Sequence, residues 1–236
     1  HRAGQPRRKS ADPGVGAIVS GLRFLAHRAI VGVSRPACKP EAGTHQGRTR
    51  IMTEFSDRFW SSGDGLKLHY RDYPGRDDRP PIICLPGLTR NARDFEVLAR
   101  RLAGEWRVIC PEMRGRGDSA YAKDSATYNP MQYVEDVALL LEEAKVPRFV
   151  VIGTSLGGLM TMVMGLTMPD RIAAAVLNDI GPVIEPAGLE RIRGYVGQGR
   201  SFPTWMHAAR AIEETQGIAF PDYQIGDWLA AAKRVM

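Results

Sequence analysis

Between Met52 and Asp179, short apolar runs alternate with stretches of helical spacing, and no other feature limits the fold as much. "KLHYRDY" alternates in strand fashion, and "PIICLPG" is a brief apolar run stopped by Pro-Gly. "NARDFEVLARRLAG" sets Phe95, Leu98 and Leu102 at helical spacing and ends on Gly104. "WRVICPE" has the character of a buried strand. Asn129 as cap and Pro130 as first residue open a helix through "NPMQYVEDVALLLEEAKV". "RFVVIG", "SLGGLMTMVMGLTM" and "RIAAAVLND" then follow as strand, helix and strand. Continuous Val, Ile and Leu runs separated by helices predict an α/β fold, a mostly parallel sheet with helices on both faces. After Asp179 the strand-like runs stop, and the remaining sequence predicts successive helices.

Charge divides the chain at the same place as composition. Residues 1–51 carry ten Lys or Arg and two Asp or Glu, a net of +8; residues 52–236 carry 22 and 24, a net of −2. The basic character therefore belongs to the leader. The chain opens on His1, and its first methionine is Met52. The leader suits an Arg-rich targeting segment, a basic arm for nucleic acid, or upstream sequence read ahead of a start at Met52. The abrupt change at Met52 favours the third. Arg23, His27 and Arg28 interrupt the one apolar patch of the leader, so it does not predict a membrane span. Cys38, Cys84 and Cys110 form no C-x-x-C pair, and zinc-ligand spacing is absent. Cys84 and Cys110 sit in apolar strands and predict buried free thiols in a reducing, cytoplasmic setting.

"FVVIGTSLGG", Phe149 to Gly158, carries the chemistry. Gly-Thr-Ser-Leu-Gly after an apolar strand and before a helix is the G-x-S-x-G pattern of a nucleophile on a sharp strand-to-helix turn. Alone the pattern is weak, and a serine that only caps a helix is the alternative. "LPGLTRNARDF" adds a second element, because the backbone N–H groups of Leu88 and Leu156 can converge beside Ser155 as an oxyanion hole. "PEMRGRGDS" is Gly-rich but lacks the Walker lysine pair and a true G-x-G-x-x-G, so it predicts a structural loop at the mouth of the site.

With these motifs in this order, residues 55–236 resemble the α/β-hydrolase superfamily with a helical cap. Two departures are visible: Pro86-Gly87 stands where His-Gly is common, and Glu112 stands where the loop usually has Asp. The resemblance implies residues 52–180 as the N-terminal part of the hydrolase core and 181–236 as part of a cap. It implies Ser155 as nucleophile in the hydrolysis of small esters, lactones or related carbonyl compounds. A C–C bond hydrolase and a non-catalytic binding member remain the alternatives. Dehalogenase and epoxide-hydrolase chemistry are disfavoured, because those relatives carry Asp at the elbow. Trp205, Met206 and Trp228 would either wall the substrate or pack the cap's own core. The expected partner is a small molecule, with no cofactor, metal, nucleic acid or membrane; the oligomeric state is open.

Ser155 needs a base, normally a histidine. The histidines are His1, His27, His45, His69 and His207. In this family the order is Ser, then Asp or Glu, then His, so only His207 follows the serine. Its place in a cap helix argues for a surface or substrate-contacting role instead. Asp179, at the end of a strand, is a possible acid, though such an aspartate more often supports the loop into the cap. The resemblance implies that the acid and histidine follow Met236, that the last strands and helices of the fold are missing, and that the fragment is inactive. "RIAAAVLND" would then be an exposed sheet edge.

Overall fold

A computed structural model of the chain describes residues 54–181, 183–194, 201–218 and 220–235. The expectations for residues 1–51, including Cys38, lie outside these. Among the described residues six strands form one sheet in the order β1-β2-β4-β3-β5-β6. They are β1 (Ser56–Ser61), β2 (Lys67–Tyr73), β3 (Ile82–Leu85), β4 (Val108–Pro111), β5 (Phe149–Thr154) and β6 (Ile172–Asn178). β1 and β2 are antiparallel to their neighbours, whereas β4, β3, β5 and β6 run parallel. The helices are α1 (Glu96–Leu102), α2 (Pro130–Glu143), α3 (Leu156–Thr167), α4 (Pro186–Arg193), α5 (Trp205–Gln216) and α6 (Ile225–Val235).

The unbroken apolar runs have a simple cause: successive residues of a strand face opposite sides, and both sides are covered. Ile83, Leu85, Ile109, Phe149 and Val151 pack with Tyr133, Val137 and Leu140 of α2 and Met160 and Met164 of α3. Ile82, Cys84, Val108 and Cys110 face the other way, onto Ala92, Phe95 and Ala99. Cys84 and Cys110 are free and buried.

Local signals place the helix starts. Asn129 Oδ1 accepts from the Gln132 N–H at 3.0 Å, with Pro130 as first residue of α2. The stretch expected as one helix from Asn91 divides into a 3-10 turn, Ala92–Phe95, and α1. Asn91 caps that turn through the Arg93 N–H at 3.0 Å.

β6 pairs with β5 alone, and Val176 and Leu177 are 51% and 40% exposed. It is the apolar edge that the sequence implied, and among the described residues no strand covers its outer side. α5 and α6 pack through Ala208, Ala209, Trp228 and Ala232 into a small cluster of their own.

Candidate active site

Ser155 stands between β5 and α3 with φ 50° and ψ −111°, outside the range that a residue with a Cβ prefers. Such a backbone costs about 1–3 kcal/mol and persists only where its surroundings hold it. Here the Ser155 N–H donates to Asn178 O of β6 at 2.9 Å, and the Gly158 and Leu159 N–H groups donate to Ser155 O at 2.9 and 3.1 Å. The two glycines of the motif permit the turn. A Cβ on Gly157 would collide with the Leu85 backbone, and one on Gly153 with Gly157 O and Thr161 Oγ1. The serine side chain does not cap α3, which removes the capping alternative.

The loop after β3 lies against this elbow. A Cβ on Gly87 would sit 3.8 Å from Ser155 Cβ. Leu156 is the first residue of α3, so its N–H has no acceptor one turn back inside the helix. Neither its N–H nor that of Leu88 donates to a backbone or side-chain acceptor among the described residues. The helix dipole adds partial positive charge at the same end.

The other expected residues are placed as follows. Asp179 has φ 54°, is exposed, and directly follows β6 beside the elbow without a histidine partner among the described residues. His207 is exposed on α5, where its Nδ1 lies 2.8 Å from Thr204 Oγ1. Trp228 is buried in the α5–α6 cluster, so of its two expected roles the structure assigns packing and not a substrate wall. Trp205 and Met206 are 48% and 45% exposed on the first turn of α5.

Sequence reasoning did not find the network under the site. His69 is buried, with Nδ1 2.9 Å from Glu112 Oε2 and Nε2 2.9 Å from Asp57 Oδ1. Carboxylates only accept, so both ring nitrogens donate, which requires the imidazolium. Glu112 also accepts from the Ala92 N–H at 3.1 Å and the Asp118 N–H at 2.7 Å. Gly117, at φ 53°, leaves room for this carboxylate, since a Cβ there would overlap it. The longer Glu112 thus ties β2, the turn after the Gly87 loop and the "RGRGDS" loop together. His69, Glu112 and Asp118 also have metal-ligand spacing, but an ion would displace the bonds just described.

Burial works to lower the His69 pKa, and the bonds and charges of Glu112 and Asp57 outweigh it, so the value lies above its ordinary 6.5. Burial works to raise the Glu112 pKa, but its bonds to His69 and to the Asp118 and Ala92 N–H groups hold it below its ordinary 4.5. The His69 contribution is complete below 6.5 and is lost as pH rises through the raised value. The Glu112 contribution is complete above 4.5 and is lost as pH falls through the lowered one. Stability from this pair is therefore expected to peak between those values. Urea midpoints of wild type should decline toward alkaline pH more steeply than those of His69→Gln; equal slopes would contradict the assignment.

The α/β hydrolase fold family model matches residues 80–223, and the chain belongs to that family. It is 34% identical over 139 residues to a 3-hydroxybutyrate-oligomer hydrolase of Cupriavidus necator, a match covering 59% of this chain and 47% of that protein. It is 28% identical over 120 residues to a 2-(acetamidomethylene)succinate hydrolase of Mesorhizobium japonicum, covering 51% and 42%. A crystal structure of an α/β hydrolase from Novosphingobium aromaticivorans shares 66% identity at a TM-score of 0.75, covering 78% of this chain and 64% of that one. The chain thus spans about half the length of these two curated relatives. Among the described residues no helix is long and apolar enough to cross a membrane.

Proposed function

We propose that the protein is a serine hydrolase of small acyl substrates, and that Ser155 is its nucleophile. The observation that carries this is the strained Ser155 at the strand-to-helix turn, with its side chain uncommitted to capping and Gly87 alongside. Ser155 Oγ attacks the substrate carbonyl while a base removes its proton, and the carbonyl oxygen gains the negative charge. The N–H groups of Leu88 and Leu156 accommodate that oxygen. Collapse expels the alcohol with a proton, leaving an acyl-enzyme, and water then releases the acid and restores Ser155.

Two curated relatives are hydrolases by name, one of 3-hydroxybutyrate oligomers, which supports an ester or related carbonyl substrate. In this reading α4 to α6 form part of a cap over the site, and Trp205 and Met206 present apolar surface toward a substrate. No base is assigned among the described histidines: His69 is held by two carboxylates, and His207 Nδ1 lies against Thr204 Oγ1 on the exposed face of α5.

Rapid mixing of the full-length protein with p-nitrophenyl acetate tests the acyl-enzyme. A burst of p-nitrophenolate matching the protein concentration is expected, followed by slower turnover. Release without a burst, unaffected by loss of the Ser155 hydroxyl, would contradict the mechanism.

A further inference from the structure

We propose that Asn91 is a positioning residue that latches the cap to the core, its side-chain amide holding the C-terminal end of α6 on the loop that follows β3. The proposal rests on the reading of α4 to α6 as a cap over the Ser155 site. Asn91 is 3% exposed and divides its amide between two elements. Oδ1 accepts from the Arg93 N–H at 3.0 Å, and Nδ2 donates to Arg234 O at 2.8 Å, across 143 residues of sequence. Arg234 lies in the last turn of α6, where carbonyls lack partners inside the helix. A carbonyl oxygen carries two lone pairs, so the bond is equally compatible with a further helical turn.

The two sides of this bond are held differently. The Ala92–Phe95 turn is fixed to the core: the Ala92 N–H donates to the buried Glu112 carboxylate at 3.1 Å, and Asp94 pairs with Arg90. Ala92 and Phe95 themselves belong to the apolar cluster of Cys84 and Val108. α5 and α6 share a cluster of their own, built from Ala208, Ala209, Trp228 and Ala232. Among the described residues no side chain of either helix enters the two clusters that flank the sheet. Among the hydrogen bonds and ion pairs of the described residues, the Asn91–Arg234 bond is the one that joins α5 or α6 to the sheet and α1 to α3. A helix pair with its own core can leave and return as a unit, and a single buried bond onto a rigid turn is a contact that breaks and re-forms. Gly87, whose added Cβ would sit 3.8 Å from Ser155 Cβ, lies on the same loop as Asn91. The latch therefore grips the loop that flanks the nucleophile.

Hydrogen–deuterium exchange of Asn91→Asp and Asn91→Ser in the full-length protein, read by mass spectrometry, tests this. Aspartate and serine both keep an acceptor for the Arg93 N–H, so the turn retains its cap. Aspartate sets a carboxylate oxygen against Arg234 O, and serine is too short to reach it. The serine variant serves as the readout if the buried charge unfolds the aspartate variant. Amides of α5 and α6 should exchange on the order of tenfold faster in both variants, with β3 to β5 unchanged. KM for p-nitrophenyl butyrate should rise by about the same factor, more than kcat changes, because only the latched fraction binds tightly. Unchanged exchange in α5 and α6 would overturn the proposal. So would faster exchange that spreads through β3 to β5, since Asn91 would then be a structural residue of the core. Faster exchange confined to α5 and α6 with an unaltered KM would also overturn it, by removing the cap reading on which it rests. Exchange does not involve the Ser155 hydroxyl, so the latch stands or falls independently of the nucleophile.

Discussion

Ser155→Ala in the full-length protein is expected to lower kcat for a short acyl ester by on the order of a millionfold, the typical effect of removing the nucleophile of a catalytic triad. The fold should survive. Alanine meets the same penalty at φ 50° as serine, and the bonds that hold the elbow are made by backbone atoms. The expected signature is therefore loss of turnover with an unchanged melting temperature. Activity above about a tenth of wild type would remove Ser155 from the mechanism. Activity lost together with folding would instead make the elbow serine a structural residue.

The second large effect is on stability. Arg114 is wholly buried and grips Asp136 through Nε–Oδ2 and Nη2–Oδ1 bonds of 2.8 and 2.7 Å. Its Nη1 and Nη2 reach Asp64 at 3.0 and 3.1 Å, and Asp136 O also accepts from Trp60 Nε1 at 2.8 Å. The fork thus joins α2 to the chain between β1 and β2 and to the "RGRGDS" loop. Arg114→Met would leave the buried Asp136 carboxylate with only a 3.3 Å contact from Gln132 Nε2. Breaking a buried pair from one side costs about 3–5 kcal/mol, because the partner's desolvation is no longer offset. Urea unfolding should show a loss of that size, and the double variant Arg114→Met with Asp136→Leu should lose less than the sum of the singles. A single-variant loss below about 1 kcal/mol would mean that water reaches the Asp136 carboxylate.

Much of the architecture was legible in the sequence, because β3 and β4 are buried on both faces, β5 is buried on one and partly buried on the other, and all three carry unbroken apolar runs. The elbow was legible for a related reason: two glycines forced by close backbone approach leave a fixed spacing around Ser155. β1 left no such trace. Its "SDRFWS" buries only Trp60, and the charged residues of an outer strand read as loop. The His69–Glu112 pair joins residues 43 apart and has no periodicity to reveal it. The exchange of the usual Asp for Glu112 was the one available signal, and it marked a buried anchor. The Asn91–Arg234 contact, across 143 residues, is equally non-local. For Trp228, an amphipathic helix pattern cannot separate a wall facing substrate from one facing a neighbouring helix, and the small Ala208, Ala209 and Ala232 around it decide for packing.

The most direct measurement is the site of covalent capture. Full-length protein treated with a fluorophosphonate, digested and sequenced by mass spectrometry should carry one adduct, on Ser155 in the peptide containing "GTSLGG". An adduct on another residue, or an active protein that acquires none, would contradict the assignment of Ser155 as the nucleophile.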